Sequence, residues 1–209
     1  DWFSEFFASR GYTILEPNFR GSSGYGFDFE MASIKNWGGA MQDDLADAAL
    51  WLAKNHDIKE DRVCIIGASY GGYAALMAAV KQQDVFRCAG SFAGVSDLEL
   101  IVKKSRKFTN YKIVKKQIGD DYDKLEQQSP VNFAEKINIP ILLIHGDKDR
   151  VVDVKQSQLM HEELIDYDKN VQYVELENGN HHLEIEKNRV KTLASFEQFL
   201  QTYLLADAD

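Results

Sequence analysis

The chain has 209 residues, 44% of them hydrophobic and 27% charged, the composition of an ordinary water-soluble globular protein of one domain. Its 33 acidic against 24 basic residues leave a net charge of −9, which argues against a nucleic-acid binder, because phosphate contacts need a basic surface. No stretch approaches the roughly 18 apolar residues that a membrane span requires, so no membrane partner is expected.

The chain opens on an amphipathic helix, Asp1 to Arg10, closed by the glycine cap Gly11. It shows no basic n-region followed by an apolar stretch, and it does not begin with Met, as expected of a segment cut from a longer protein. Tyr12–Phe19 reads as a strand, followed by the Gly-rich turn Arg20–Gly26. Asp43–Asn55 reads as a helix with Leu45, Ala48, Ala49 and Leu52 on one face. Val63–Ile66 reads as a buried strand, Tyr70–Gln83 as an Ala-rich helix, and Phe86–Phe92 as the next strand. Residues 97–138 break the alternation with two helices and the basic cluster Lys103, Lys104, Arg106 and Lys107, read as a solvated helix face. Ile139–Ile144 and Val171–Leu176 are strands, Asn188–Leu205 is the last helix, and Ala206–Asp209 is a frayed tail. Strands alternating with helices imply a mostly parallel sheet covered on both faces. Cys64 and Cys88 sit in apolar runs and read as separate buried thiols, and no zinc-type cysteine cluster exists.

Gly67-Ala68-Ser69-Tyr70-Gly71 matches G-x-S-x-G. Three fixed residues at about 7% each match by chance in several per cent of such chains, so the bare pattern is a weak signal. Its setting strengthens it, since a buried strand precedes it and a helix follows. That is the strand–turn–helix context in which a serine hydroxyl stands clear of a sheet. Glycine is expected at 67 and 71 because side chains there would collide with the adjoining strand and helix. A nucleophilic serine needs a base, and the base an orienting acid. His145-Gly-Asp-Lys-Asp149 follows one strand and Glu177-Asn-Gly-Asn-His181-His182 follows another. Both lie past the carboxyl ends of strands, where an open α/β sheet holds its site. Ser69, Asp149 and His181 therefore have the right types in the right order, with Asp147 or Asp153 as alternative acids and His182 as an alternative base. A calcium loop through the aspartates is disfavoured, because Val152 stands where glycine is needed. A metal pair at His181-His182 lacks a carboxylate at helical spacing, so neither metal nor cofactor is expected. His145 reads as a structural hydrogen-bonding residue.

Asn18–Gly26, Trp37-Gly-Gly with Met41-Gln-Asp-Asp44, Gly67–Tyr73 and His145-Gly-x-x-Asp149 together resemble the catalytic domain of the prolyl oligopeptidase family. The branch of acylaminoacyl-peptidase and dipeptidyl-peptidase-like bacterial enzymes is the most similar. The resemblance runs from residue 1 to about 205. It implies an α/β-hydrolase fold over 1–209, a helical insertion at about 97–138, and a serine peptidase of short peptides. By the same resemblance the acid is Asp149, and the Asn188-Arg189 pair selects His181 as the base, with Asn180 departing from the Gly, Glu or Asp usual before it. Ser69 would attack the scissile carbonyl, His181 would shuttle the proton, and the backbone N–H of Tyr70 would be one oxyanion donor. A β-propeller and the first sheet strands, including a His-Gly-Gly-Pro-like loop with the second oxyanion donor, would lie on the N-terminal side. A strand would also belong between Tyr12–Phe19 and Val63–Ile66. Loss of one donor costs about 10²–10³ in rate, and orphan strand edges invite association. The isolated segment is therefore expected to be weakly active or inactive, and prone to self-associate. A carboxylic ester hydrolase and a silent hydrolase-fold scaffold are the competing readings.

Overall fold

The computed structural model describes residues 2–56, 58–59 and 61–205, so the expected tail at Ala206–Asp209 lies outside the described residues. Four strands, β1 (Cys64–Ala68), β2 (Cys88–Phe92), β3 (Ile141–Gly146) and β4 (Val171–Leu176), form one parallel sheet in the order β1-β2-β3-β4. The central strands β2 and β3 are buried along their whole length and read as continuous small or apolar runs, as a sheet covered on both faces demands.

Alternation along the strands sorts two cores. Ile66, Cys88, Phe92, Leu142, Ile144 and Leu176 face helices α1 (Trp2–Ala8) and α9 (Glu186–Tyr203), meeting Phe7, Phe196, Phe199 and Leu200. Ile65, Ala89, Ile141 and Leu143 face the other way. There they meet Leu76 of α4 (Tyr70–Lys81) and Met160 and Leu164 of α8 (Lys155–Asp166). The Ala-rich face of α4 lets it lie close against β1 and β2, and α3 (Ala40–Asn55) packs outside it through Ala46 and Ala49. The helices α2 (Phe27–Met31), α5 (Leu98–Ser105), α6 (Tyr111–Ile118) and α7 (Tyr122–Gln127) complete the chain, with a 3-10 turn at Pro130–Lys136. Asp97 starts α5 by accepting the Leu100 N–H at 2.8 Å, a side-chain N-cap.

Four expectations are corrected. Tyr12–Phe19 takes no regular secondary structure and pairs with no described strand, and Ile14 and Leu15 stay exposed. A ladder needs a partner, and β1 is the edge of the described sheet on that side. The cysteines are not separate thiols: Cys64 and Cys88 are disulfide-bonded. They occupy directly opposed positions of β1 and β2 and point to the same face, with Cα atoms 4.7 Å apart, a register that spacing alone does not reveal. The region 97–138 holds three α-helices and the 3-10 turn rather than two helices. Helix α8 lies in a stretch to which the sequence assigned no element.

Phe196 seals the sheet face beneath α9 and is fully buried against Phe3 and the strands. Truncation leaves a cavity that the parallel sheet cannot close by collapse. Phe196→Ala is expected to cost about 3–5 kcal/mol of stability, read as a shift in the urea unfolding midpoint at unchanged slope.

Candidate active site

Ser69 sits between β1 and α4 with φ 55° and ψ −117°, in the region that L residues rarely enter. Its backbone is held on both sides: its N–H donates to Phe92 O at 2.9 Å, and its carbonyl accepts from Tyr73 N at 3.1 Å. The turn is tight enough that a Cβ on Gly67 would lie 2.3 Å from the Gly71 backbone. The expectation for Gly71 is corrected, since a Cβ there meets nothing within 4 Å. Gly71 matters as the surface Gly67 approaches. The Ser69 side chain is half-buried, and among the described residues its hydroxyl makes no hydrogen bond. Tyr70 is the first residue of α4, so its N–H is one of those an α-helix leaves without an internal partner.

The loop after β3 carries Asp149 and the loop after β4 carries His181. The two loops touch at glycines, where a Cβ on Gly146 would lie 2.3 Å from Gly179 O. Lys148 N donates to Gly179 O at 2.8 Å and Asp147 N to Leu176 O at 3.1 Å, so the loops form one backbone unit. Across it, His181 Nδ1 and Asp149 Oδ2 are hydrogen-bonded at 2.7 Å. The Asp149 carboxylate is fully buried and the His181 ring nearly so. Asp149 Oδ1 accepts the N–H groups of Val151 at 2.8 Å and Val152 at 2.9 Å. Burial pushes the Asp149 pKa up, but the polar contacts of the His145 and His181 rings and the two peptide N–H groups outweigh it and hold it well below the usual carboxylate range.

The rival positions fall elsewhere. Asp147 contacts Lys148 at 3.3 Å, and Asp153 pairs with Lys104. His182 is exposed, its ring edge-on to His181 at 5.5 Å. The His181 loop is itself braced. Asn180 Oδ1 accepts from His182 N and Glu184 N, Asn188 Nδ2 donates to Glu177 O at 3.2 Å, and Arg189 Nη1 donates to Leu183 O and Glu184 O at 2.8 and 2.9 Å. Among the described residues, no three His, Cys, Asp or Glu side chains are placed to hold a metal ion.

The Arg20 turn is pinned to α3: Arg20 N donates to Asp44 Oδ2 at 2.8 Å and the guanidinium binds the same carboxylate bidentately. The side-chain bond from Arg20 holds the Asp44 carboxyl below its ordinary range despite partial burial. This anchoring sets Phe19 5.5 Å from the Tyr70 ring, which Trp37 also meets at 4.6 Å, with Tyr73 behind at 4.8 Å from Trp37. Burial, then the Asp44 charge, pushes the Tyr70 phenol up, so it stays protonated beside Met41 Sδ at 3.6 Å. Reading the residues one by one missed this aromatic layer next to Ser69. Its signal was present in the Trp37-Gly-Gly and Ser69-Tyr-Gly-Gly-Tyr73 clusters.

A parallel sheet with helices on both faces and a serine on a strand-to-helix turn define an α/β-hydrolase fold. The chain belongs to the prolyl oligopeptidase family, whose family model matches residues 1–207. It is 36% identical over 166 residues to dipeptidyl aminopeptidase BIII of Pseudoxanthomonas mexicana, covering 76% of this chain and 24% of that protein. A puromycin-hydrolyzing peptidase of Mycobacterium tuberculosis superposes with a TM-score of 0.90 at 29% identity, over 98% of this chain and 31% of that one. The uncomplexed acylaminoacyl peptidase of Pyrococcus horikoshii superposes with a TM-score of 0.80 at 27% identity, over 90% of this chain and 32% of that one. The chain thus spans about a quarter of the curated relative's length, at 24%.

The lowered carboxyl of Asp149 makes a stability prediction. A group with a depressed folded pKa stabilises the fold above its unfolded value, and that contribution is lost as pH falls towards the folded one. Stability measured by urea unfolding should therefore fall more steeply below about pH 4 in the wild type than in Asp149→Asn.

Proposed function

We propose that this chain carries the catalytic centre of a serine peptidase that cleaves short peptides through an acyl-enzyme. The observation that carries the reading is the 2.7 Å hydrogen bond between Asp149 and His181, on adjoining loops at the same end of the sheet as the Ser69 turn. Residues 1–209 are read as the catalytic domain of a longer peptidase, a reading supported by the length of the relatives.

Ser69 Oγ attacks the scissile carbonyl carbon while His181 Nε2 takes its proton. Asp149 keeps the Nδ1–H tautomer in place and stabilises the imidazolium as it forms. The carbonyl oxygen becomes an oxyanion, for which the Tyr70 N–H is a donor at the positive end of α4. Collapse expels the amine, which takes the proton from His181 and leaves an ester on Ser69. Water, deprotonated by the same imidazole, attacks that ester and releases the acid product. The layer formed by Phe19, Trp37 and Tyr70 gives the site an apolar wall, suited to a peptide side chain rather than to a charged group.

A fluorophosphonate probe with mass-spectrometric mapping tests the nucleophile. In the longer peptidase that carries this chain, labelling confined to Ser69 and abolished in Ser69→Ala is expected, and labelling elsewhere, or none in folded protein, overturns the assignment. Aminoacyl-anilides and short blocked peptides should be turned over in preference to short esters. His181→Ala should lower kcat by about 10⁴ or more with KM little changed.

A further inference from the structure

His145 takes no part in the reaction described above, yet after His181 its ring is the next imidazole against the acid Asp149. It lies at the end of β3, opposite Glu175 of β4, and is fully buried. Its Nε2 lies 2.9 Å from Val152 O, a group that only accepts, so Nε2 carries a hydrogen. The same nitrogen is 3.4 Å from Asp149 Oδ2, the oxygen that His181 uses. This is longer than a full N–H···O hydrogen bond but is an attractive contact inside a buried site. On the other side of the ring, Nδ1 meets Ser157 Oγ of α8 at 2.8 Å, and Ser157 is itself buried. In the neutral ring, Ser157 donates and Nδ1 accepts.

A buried histidine with satisfied nitrogens is often nothing more than core. The difference here lies in what it is bonded to. The turn Asp149–Val152 closes on itself, because Val152 N–H donates to Asp149 Oδ1. His145 grips the carbonyl end of that same residue, and the Val152 side chain is buried beneath it. Val152 is therefore fixed by its N–H, its carbonyl and its side chain. Asp149 has its Oδ1 bound to the turn and its Oδ2 flanked by two imidazole N–H groups. Remove His145 and the turn loses its tie to β3 and α8, while Oδ2 loses one of its two polar neighbours.

We propose that His145, seated on Ser157, is a positioning residue that locks the Asp149–Val152 turn and so aims Asp149 Oδ2 at His181. The proposal rests on the peptidase reading above. It predicts that loss of His145 damages the alignment of the base and leaves the apolar wall that binds substrate intact. A displacement of about 1 Å in such a constellation costs up to about 10² in rate.

The test uses the longer peptidase that carries this chain, with ¹⁵N-labelled histidine, and four variants. In the wild type the His181 Nδ1–H proton should give a protected downfield resonance, assigned by its loss in His181→Ala. His145→Leu should speed its exchange at least tenfold, and lower kcat about ten- to a hundredfold with KM within twofold. His145→Gln, whose amide can donate to Val152 O and accept from Ser157, should restore most of both. Ser157→Ala, which removes only the outer hydrogen bond, should give a smaller loss of kcat at unchanged KM, and serves as the deciding variant if His145→Leu does not fold. A folded His145→Leu, or Ser157→Ala standing in for it, with wild-type resonance and wild-type kcat overturns the proposal. So does a Gln variant no better than Leu at equal stability. If the wild type neither labels at Ser69 nor cleaves peptides, the peptidase reading fails on its own, and the resonance still decides whether His145 aims Asp149.

Discussion

The close approach of Gly67 to Gly71 is the constraint on which the rest of the site depends. Only at that separation can β1 turn into α4 within one residue, and that residue, Ser69, must then take a φ of 55°. A non-glycine residue in such a conformation costs of order 1–3 kcal/mol. The cost is offset locally. Phe92 O accepts from the Ser69 N–H, the Tyr73 N–H donates to the Ser69 carbonyl, and the Ala-rich face of α4 buries itself against β1 and β2. The strain and the packing are one arrangement: a longer turn would lift α4 off the sheet and remove the apolar contacts that hold the strain.

The same logic organises the other two loops. Parallel strands in sequential order bring all their carboxyl ends to one side, but only to within the width of a strand of each other. The approach of Gly146 to Gly179 closes the remaining distance, since any side chain there would wedge the loops apart. Asn180, Asn188 and Arg189 then fix the His181 loop through backbone carbonyls and N–H groups, so its shape depends little on solvent-exposed ion pairs. That is the rigid scaffold a preorganised site requires.

Much of this was legible in the sequence, for identifiable reasons. Strand β4 was expected over Val171–Leu176 and is found there, because its alternation is bounded by polar turns on both sides. The Ser69 setting was legible because a buried strand and an Ala-rich helix flank it within a few residues. Helix α8 was not, because Lys155–Asp166 carries only two short apolar pairs, Leu159-Met160 and Leu164-Ile165, in a polar stretch. Tyr12–Phe19 has strand-like residues, but strand formation is a property of pairs, and composition says nothing about the partner. The Cys64–Cys88 bond was hidden for a related reason: it depends on the register of β1 against β2, which is set by the whole sheet. The peptide N–H groups of Val151 and Val152 that hold Asp149 are likewise invisible to spacing, since valine shows no donor chemistry until the turn closes.

The surroundings of Asp149 differ in kind from those of Asp44 and Asp153, two half-buried carboxylates. Asp44 is held by Arg20 and Asp153 by Lys104, each facing a permanent cation. Asp149 is held by two peptide N–H groups and two imidazole rings. A guanidinium would satisfy the carboxylate as well, but it would also cancel the charge at all times. Neutral donors keep the carboxylate ionised in a dry site and leave its field free to act on whatever charge appears nearby. In the proposed mechanism that charge is the imidazolium of His181, formed only as Ser69 attacks. The interaction is then stronger in the transition state than in the resting protein, which is the condition for it to accelerate the reaction rather than merely to stabilise the fold. An acid whose partners were chosen for stability alone would carry an arginine.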